Sequence, residues 1–468
     1  MTATAAPDTG AAGPGAAQDR PPGTPFFDRP LTSVHLLLVS TGLLLSLGLV
    51  MVLSASMVES FRETGSTYAV FTKQLIWLGV GIPAFWLGVR LTPRAYRRLA
   101  YPALLGSVAL LVAVLLPGVG KSVHGAQRWI DLGPLQLQPA ELAKLALALW
   151  GADLLVRKQR LLDQAGHLVM PLVPVAALLA GLVVLEPDLG TSLCFAMVLF
   201  GLLWTVGAPG RVFAVLMLLA TCAVGALAVA EPYRFARLTS FLDPFADASA
   251  GGYQAVLGLY SLSSGGWFGV GLGQGRGKWV RLPEGHTDYI FAVVGEELGL
   301  VGCLVVLLLF ATLAYAGLRV ARRTADPFVR LVAAAVVVWM TGQAVVNMGY
   351  VSGLLPVTGV PLPLISAGGT SLVVTLFALG MLVSFARHEP AAAAQLAHRG
   401  RLARLLWLPA PRRRPVARRR TARSTANRSG ERSARTAGSA RRAPHRPYGG
   451  RRRTTAQSTT PRREARPR

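Results

Sequence analysis

Residues 283–299 read PEGHTDYIFAVVGEELG, a charged, histidine-containing loop that runs straight into a long apolar segment. Asp288 sits where water should meet lipid, directly after His286 and Thr287. Glu296 and Glu297 follow about two turns deeper in the expected helix. Carboxylates are costly inside a bilayer and mark function there, as proton-transfer groups or as the lining of a transport path. The structural alternative for Asp288 is an N-cap on the helix it precedes.

Three further segments combine polar groups with apolar helices. GAQRWIDLGPLQLQPAELAK, at 125–144, carries Arg128, Trp129, Glu141 and Lys144. Glu141 and Lys144 stand three residues apart, so they share a face of the helix that Pro139 opens. They are either a structural ion pair or a pair facing substrate. Arg128 and Trp129 equally suit an anchor at headgroup depth. EPDLGTS carries Glu186 and Asp188, which suit a cap on the next helix. LLPVTGVPLPLISAGGTS, with Ser366, Gly368 and Gly369, is broken backbone, tolerated at membrane depth only where protein or a wet cavity satisfies it. His286 suits hydrogen bonding within its loop, and Glu296 and Glu297 suit structural pairing.

The elements that position these groups are membrane helices. The 468 residues are 52% hydrophobic and only 15% charged, which excludes an ordinary soluble enzyme. Long apolar runs predict an all-α polytopic membrane protein. About ten spans are expected, near 34–54, 74–91, 99–118, 139–156, 168–186, 189–206, 211–230, 289–316, 330–350 and 366–386. Residues 1–33 read as a disordered arm without a cleavable signal, 34–388 as the membrane domain, and 389–468 as a disordered Arg-rich tail.

Orientation follows from the short basic loops. Arg94, Arg97 and Arg98, then Arg157, Lys158 and Arg160, then Arg319, Arg322 and Arg323, share one side when ten spans are assumed. The tail joins them: from Arg387 onward there are 24 Arg and three Glu, so most of the +26 formal charge lies there. Both termini are therefore expected in the cytoplasm. The opposite side receives the long connection at about 231–288, between the seventh and eighth spans. Its glycines, Gly265 to Gly277, match no phosphate-binding loop and predict a mobile segment of close backbone approach. Cys194, Cys222 and Cys303 are scattered through apolar runs and suggest neither disulfides nor a metal site.

The runs GAQRWIDLG, QPAELAK, EPDLGTS, HTDYIFAVVGEELG and GLLPVTGVPLPLISAGGTS together make the chain resemble the SEDS family (shape, elongation, division and sporulation) over roughly 34–390. GAQRWIDLG leans toward the elongation branch, whereas the last run and the basic tail lean toward an actinobacterial division member. The resemblance implies a peptidoglycan glycosyltransferase acting on lipid II, a disaccharide-pentapeptide on undecaprenyl pyrophosphate. It makes Asp288 the catalytic aspartate and places Trp129, Glu141 and Lys144, with Arg128 beside them, at positions implicated in activity. Its partners would be a class B penicillin-binding transpeptidase and other division proteins, in the plasma membrane at the septum.

The chemistry suits that implication. An acceptor hydroxyl must lose a proton as it attacks the donor's anomeric carbon, and one carboxylate can act as base. The leaving lipid diphosphate is a weak base that needs positive charge instead of the acid a glycosidase supplies. Arg128, Lys144 or Lys278 can supply that charge, and His286 and Thr287 lie within the substrate-binding loop. No cofactor is demanded, although a divalent cation could bridge the diphosphate to Asp188 or Asp288. Rival readings are a lipid II flippase, an elongation-type polymerase and a non-catalytic division scaffold. RLARLLWL, at 401–408, predicts a basic amphipathic helix for anionic lipid, with an acidic division protein next and nucleic acid the least favoured.

Overall fold

A computed structural model describes residues 29–398, apart from 124–125, 132, 134–135, 162–163, 231–240, 242, 246–251 and 280–281. The arm before 29 and the tail beyond 398, with its 401–408 segment, lie outside the described residues. The helices in chain order are α1 (Thr32–Thr64), α2 (Ala69–Arg90), α3 (Pro93–Leu115), α4 (Pro139–Arg157), α5 (Ala165–Val169), α6 (Leu172–Leu185), α7 (Leu189–Val206) and α8 (Gly210–Ala230). They continue with α9 (Tyr253–Ser264), α10 (Ile290–Arg323), α11 (Pro327–Val351), α12 (Thr370–Arg387) and α13 (Pro390–His398).

Lipid offers the backbone no hydrogen-bond partner, so every crossing segment must bond to itself as helix. Among the described residues, eight helices are long and apolar enough to cross a membrane. α8 supplies a ninth apolar helix at the expected position, and α4 a tenth. α4 is set apart by composition, because Glu141, Lys144, Asp153 and Arg157 fall within its 19 residues. It can hold them because it is enclosed: from Pro139 to Leu155 every residue but Leu142 is buried. α3, α6, α7, α11 and α12 pack around it.

Strands also form, which the sequence does not announce. β1 (Gly120–Val123), β2 (Ala126–Asp131) and β3 (Gln136–Leu137) make a small antiparallel sheet in the order β1-β2-β3. Its register pairs Lys121 with Trp129 and Ile130 with Leu137. The sheet caps α3 and α4, where the chain is free of lipid's demand for helix.

α10 is broken at Gly299, whose φ of 68° and ψ of −166° are non-helical. Residues 300–323 span about 36 Å, enough alone to cross a hydrocarbon core of about 30 Å. The short piece before the break, with Glu296 and Glu297, is therefore not needed for the crossing. The glycine loop after α9 fills the break. Val270 and Gly271 N–H donate to the Glu296 and Glu297 carbonyls at 3.0 and 3.1 Å, and Leu300 and Val301 N–H donate back to Gly266 and Trp267 at 2.9 and 3.1 Å. Close approach is as expected, since a Cβ on Gly299 would lie 2.3 Å from Gly269 N. Mobility is not what these bonds convey: the loop is stitched to the helix.

The opposite end gathers basic side chains. Arg97 and Arg157 both bond the buried Asp153, the latter at 2.6 Å. Arg319 donates to the Arg29 carbonyl at 3.1 Å. Here the folded body passes the boundary expected at 388. Glu389 is buried and α13 follows it. Burial pushes the Glu389 carboxyl up, against the pull of Ser33, Arg319 and Arg323.

Candidate active site

Asp288 lies half-buried just before α10, whose N-cap position is Tyr289. Three consecutive carbonyls fix its loop. That of His286 accepts from Ala367 N–H at 2.9 Å, that of Thr287 from Ser366 Oγ at 2.7 Å, and that of Asp288 from Asn347 Nδ2 and Tyr350 Oη, both at 2.9 Å. Thr287 Oγ1 donates to Glu284 Oε2 at 2.5 Å. Ser366 also receives Leu362 N–H at 2.8 Å, so this residue orders two backbone segments at once. Gly368 N–H donates to Gln74 Oε1 at 3.1 Å, and a Cβ on Gly369 would meet the Trp77 ring at 2.6 Å. Those two glycines dock the start of α12 on α2.

β2 carries Arg128 to the turn between α6 and α7. Its Nε donates to the Glu186 carbonyl at 3.0 Å, a second nitrogen donates to the Pro187 carbonyl, and Nη1 lies 3.7 Å from Asp188 Oδ2. Asp188 caps α7 as the sequence allowed: its carboxylate accepts from Thr191 N–H at 3.0 Å and Thr191 Oγ1 at 2.8 Å. One of the two carboxylates that a divalent cation could bridge to the diphosphate thus already accepts these two bonds. Glu186 is fully buried, and both its carboxyl oxygens lack a hydrogen-bond partner. Burial first, then the Asp188 charge, push it up to about 8 against the pull of Arg128.

The Asp188 turn and Asp288 share one neighbour. A Cβ on Gly190 would lie 2.4 Å from the Thr358 carbonyl, and one on Gly359 would lie 3.4 Å from Asp288 Oδ2. The segment at 358–360 therefore touches both, and its φ of 71° at Gly359 is what favours glycine there.

The other predicted residues meet partners of their own. Lys144 Nζ meets Glu141 Oε1 at 2.8 Å and lies 4.9 Å from the centre of the Trp339 ring. Trp339 Nε1 donates to Gln343 Oε1 at 2.9 Å, and Gln343 Nε2 to the Pro361 carbonyl at 2.8 Å. Lys278 Nζ meets Glu297 Oε1 at 3.1 Å, and Ser54 Oγ donates to the same carboxylate at 2.7 Å. Glu296 accepts the N–H groups of Arg276 and Gly277 at 2.5 and 3.0 Å. The two glutamates are not paired with each other; each holds the glycine loop.

This separates the three cations proposed for a diphosphate. The Lys144 and Lys278 side chains are 1% and 5% exposed and each faces its own carboxylate, whereas that of Arg128 is 31% exposed. Trp129 stays half-buried on the same strand as Arg128. Among the described residues no group of three or more His, Cys, Asp or Glu is placed to hold a metal ion.

Sequence reasoning passed over Asn347, Tyr350, Trp339 and Gln343 on α11 and Glu59 on α1. A signal existed for part of this set: Gln343, Asn347 and Tyr350 recur at i, i+4 and i+7 in an apolar helix and so mark one polar stripe. Glu59 Oε2 lies 3.0 Å from His286 Nδ1.

The family model for cell cycle proteins of the FtsW, RodA and SpoVE type matches residues 34–391. The chain belongs to this family. It is 44% identical over 403 residues to the Mycobacterium tuberculosis protein named probable peptidoglycan glycosyltransferase FtsW, covering 86% of this chain and 77% of that one. It is 35% identical over 354 residues to stage V sporulation protein E of Bacillus subtilis, covering 76% and 97%. Among solved structures, a chain of a peptidoglycan synthase complex that coordinates polymerization and crosslinking matches at a TM-score of 0.62 and 30% identity, over 75% of this chain and 97% of that one. Thermus thermophilus RodA matches at 0.56 and 30%, over 75% and 96%. The family's helical architecture is thus shared through the membrane domain.

Proposed function

We propose that the chain polymerises lipid II as a peptidoglycan glycosyltransferase of the division type, with Asp288 as the base. The observation that carries this reading is a half-buried carboxylate on a loop tethered through three consecutive carbonyls. It stands at the bundle end opposite the Arg97, Arg157 and Arg319 clusters, which the positive-inside rule assigns to the cytoplasm. The reacting sugars of an undecaprenyl-linked substrate lie on the outer side, and its tail lies between helices.

In this mechanism the acceptor's C4 hydroxyl gives its proton to Asp288 as the oxygen attacks the donor's anomeric carbon. The bond to the lipid diphosphate breaks, undecaprenyl pyrophosphate departs unprotonated, and attack from the opposite face inverts the centre. Arg128 is the accessible cation on β2 for the departing charge. The relatives named FtsW favour septal division over lateral elongation. A class B penicillin-binding transpeptidase is the natural partner, since it crosslinks the strand being made, and other division proteins would place the pair at the septum.

The test is reconstitution of the full chain with its transpeptidase on lipid II. Glycan strands from the parent and none from Asp288→Asn support the reading. Lipid translocation in liposomes without chain growth would return the flippase, and growth of cells carrying Asp288→Asn would return the scaffold.

A further inference from the structure

The three carbonyl tethers of the 286–288 stretch come from one side, from α11 and the segment leading to α12. On the other side stands α1, and between its outer end and this stretch opens a cavity of about 230 Å³. Glu59, Arg62 and Glu63 line the α1 wall, and Lys278, Leu282 and Gly285 line the facing one. Beside that cavity Glu59 Oε2 reaches across to His286 Nδ1 at 3.0 Å, while Arg62 and Ser54 of α1 meet the Trp279 carbonyl and Lys278 Nζ at 3.4 and 3.5 Å. The histidine is two residues from Asp288, with its ring 18% exposed, while Glu59 stands 36% exposed.

We propose that Glu59 is a positioning residue, which grips protonated His286 and so keeps the loop closed against α1 while Asp288 works. The inference rests on Asp288 being the base. Its physical content is that an ion pair, unlike the carbonyl tethers, can be opened by the loss of a proton. A latch at a cavity wall sets how far the loop yields when substrate enters, and a small displacement of a base can cost about a hundredfold in rate.

The charged groups facing His286 are Glu59 and Glu63 from α1 and Glu284 from its own loop, with Arg62 and Lys278 the cations of the cavity walls. Lys278 is already met by Glu297. Burial lowers the histidine's proton affinity, but the Glu59 carboxylate 3.0 Å away, with Glu284 and Glu63, outweighs it, so the net shift is upward from 6.5. The sign follows: the pair is whole below the ordinary histidine value and is lost as pH rises through the raised one.

Full-length protein with its transpeptidase is assayed on lipid II across pH. Glu59→Gln should lower kcat about tenfold, leave KM within about twofold, and move the alkaline limb of kcat about one unit toward acid. Glu59→Asp should restore part of the loss. His286→Gln should match the loss, lack that limb, and gain nothing further when combined with Glu59→Gln. Hydrogen exchange of residues 283–289, corrected for intrinsic rate and measured without substrate, should show protection at pH 6 that fades by pH 9. Glu59→Gln should remove it at both. Unchanged exchange in Glu59→Gln overturns the latch whatever Asp288 does, and so does an unmoved alkaline limb. Full activity of Asp288→Asn would sink the base assignment alone, because exchange judges the latch without turnover.

Discussion

Two ion pairs stand at the same end of this bundle, and they differ in their access to water. Lys144 and Glu141 are closed inside protein, under the Trp339 ring and 1% and 4% exposed. His286 and Glu59 border a cavity, and Asp288 is two residues away. Similar residue types thus do different work. A sealed pair ties α4 to α11 through the Trp339 ring, whereas a pair at a cavity wall can respond to what enters. Charge in a membrane protein is informative only together with its burial.

Replacing Asp288 tests the open side of the contrast most severely. Asp288→Asn should cut lipid II polymerisation by about 10²–10⁴-fold, the usual worth of a general base, with an unshifted Tm. A parental rate, read from glycan strands on gels, would break the contrast outright. The sealed side should answer in stability instead. Lys144→Ala leaves the Glu141 carboxylate buried and unpaired and should cost about 3–5 kcal/mol of unfolding free energy. Lys144→Met with Glu141→Leu should recover most of that, since an apolar pair of similar volume needs no partner. An unchanged melting curve with slowed turnover would move Lys144 to the reactive side.

Smaller effects sharpen the picture. Gly299→Ala forces a side chain onto a φ of 68° and into the Gly269 backbone. A cost of about 1–3 kcal/mol is expected in thermal unfolding, with the glycine loop released first in hydrogen exchange. An unaffected loop would show that the helix break does not depend on this residue. The gentlest probe is Glu186→Gln. The Glu186 carboxyl is raised in the fold from 4.5 to about 8, so between those values the unfolded chain has lost a proton that the fold retains. Parental stability therefore falls as pH rises through that window. Glu186→Gln should gain on the parent from about pH 4.5 to about 8 and stay level above. A constant difference in Tm across that range would mean that the carboxyl is ionised in the fold.

Much of this was legible in the amino-acid order. Ten helices form near the expected positions because hydrocarbon leaves the backbone no other choice. Asp188 caps a helix as its place after Glu186 and Pro187 allowed. The pairing of Glu141 with Lys144 follows from their helical spacing, yet their enclosure does not, since Trp339 comes from almost two hundred residues away. The sheet at 120–137 and the continuation through α13 escaped for a related reason: short elements outside lipid are settled by neighbours rather than by periodicity.

Local chemistry alone determined that this chain is built of long apolar helices, that one end is basic, and that an acid stands just before the helix over 290–323. Each follows from neighbouring residues and the solvent they meet. Only the tertiary structure decided which charges are sealed and which are open. It also decided that α10 breaks at Gly299 to admit a loop, that Gly359 lies against the Asp288 carboxylate, and that Glu59 reaches His286. These depend on distances between segments far apart in the chain, and a distance is set by packing, which no local pattern encodes.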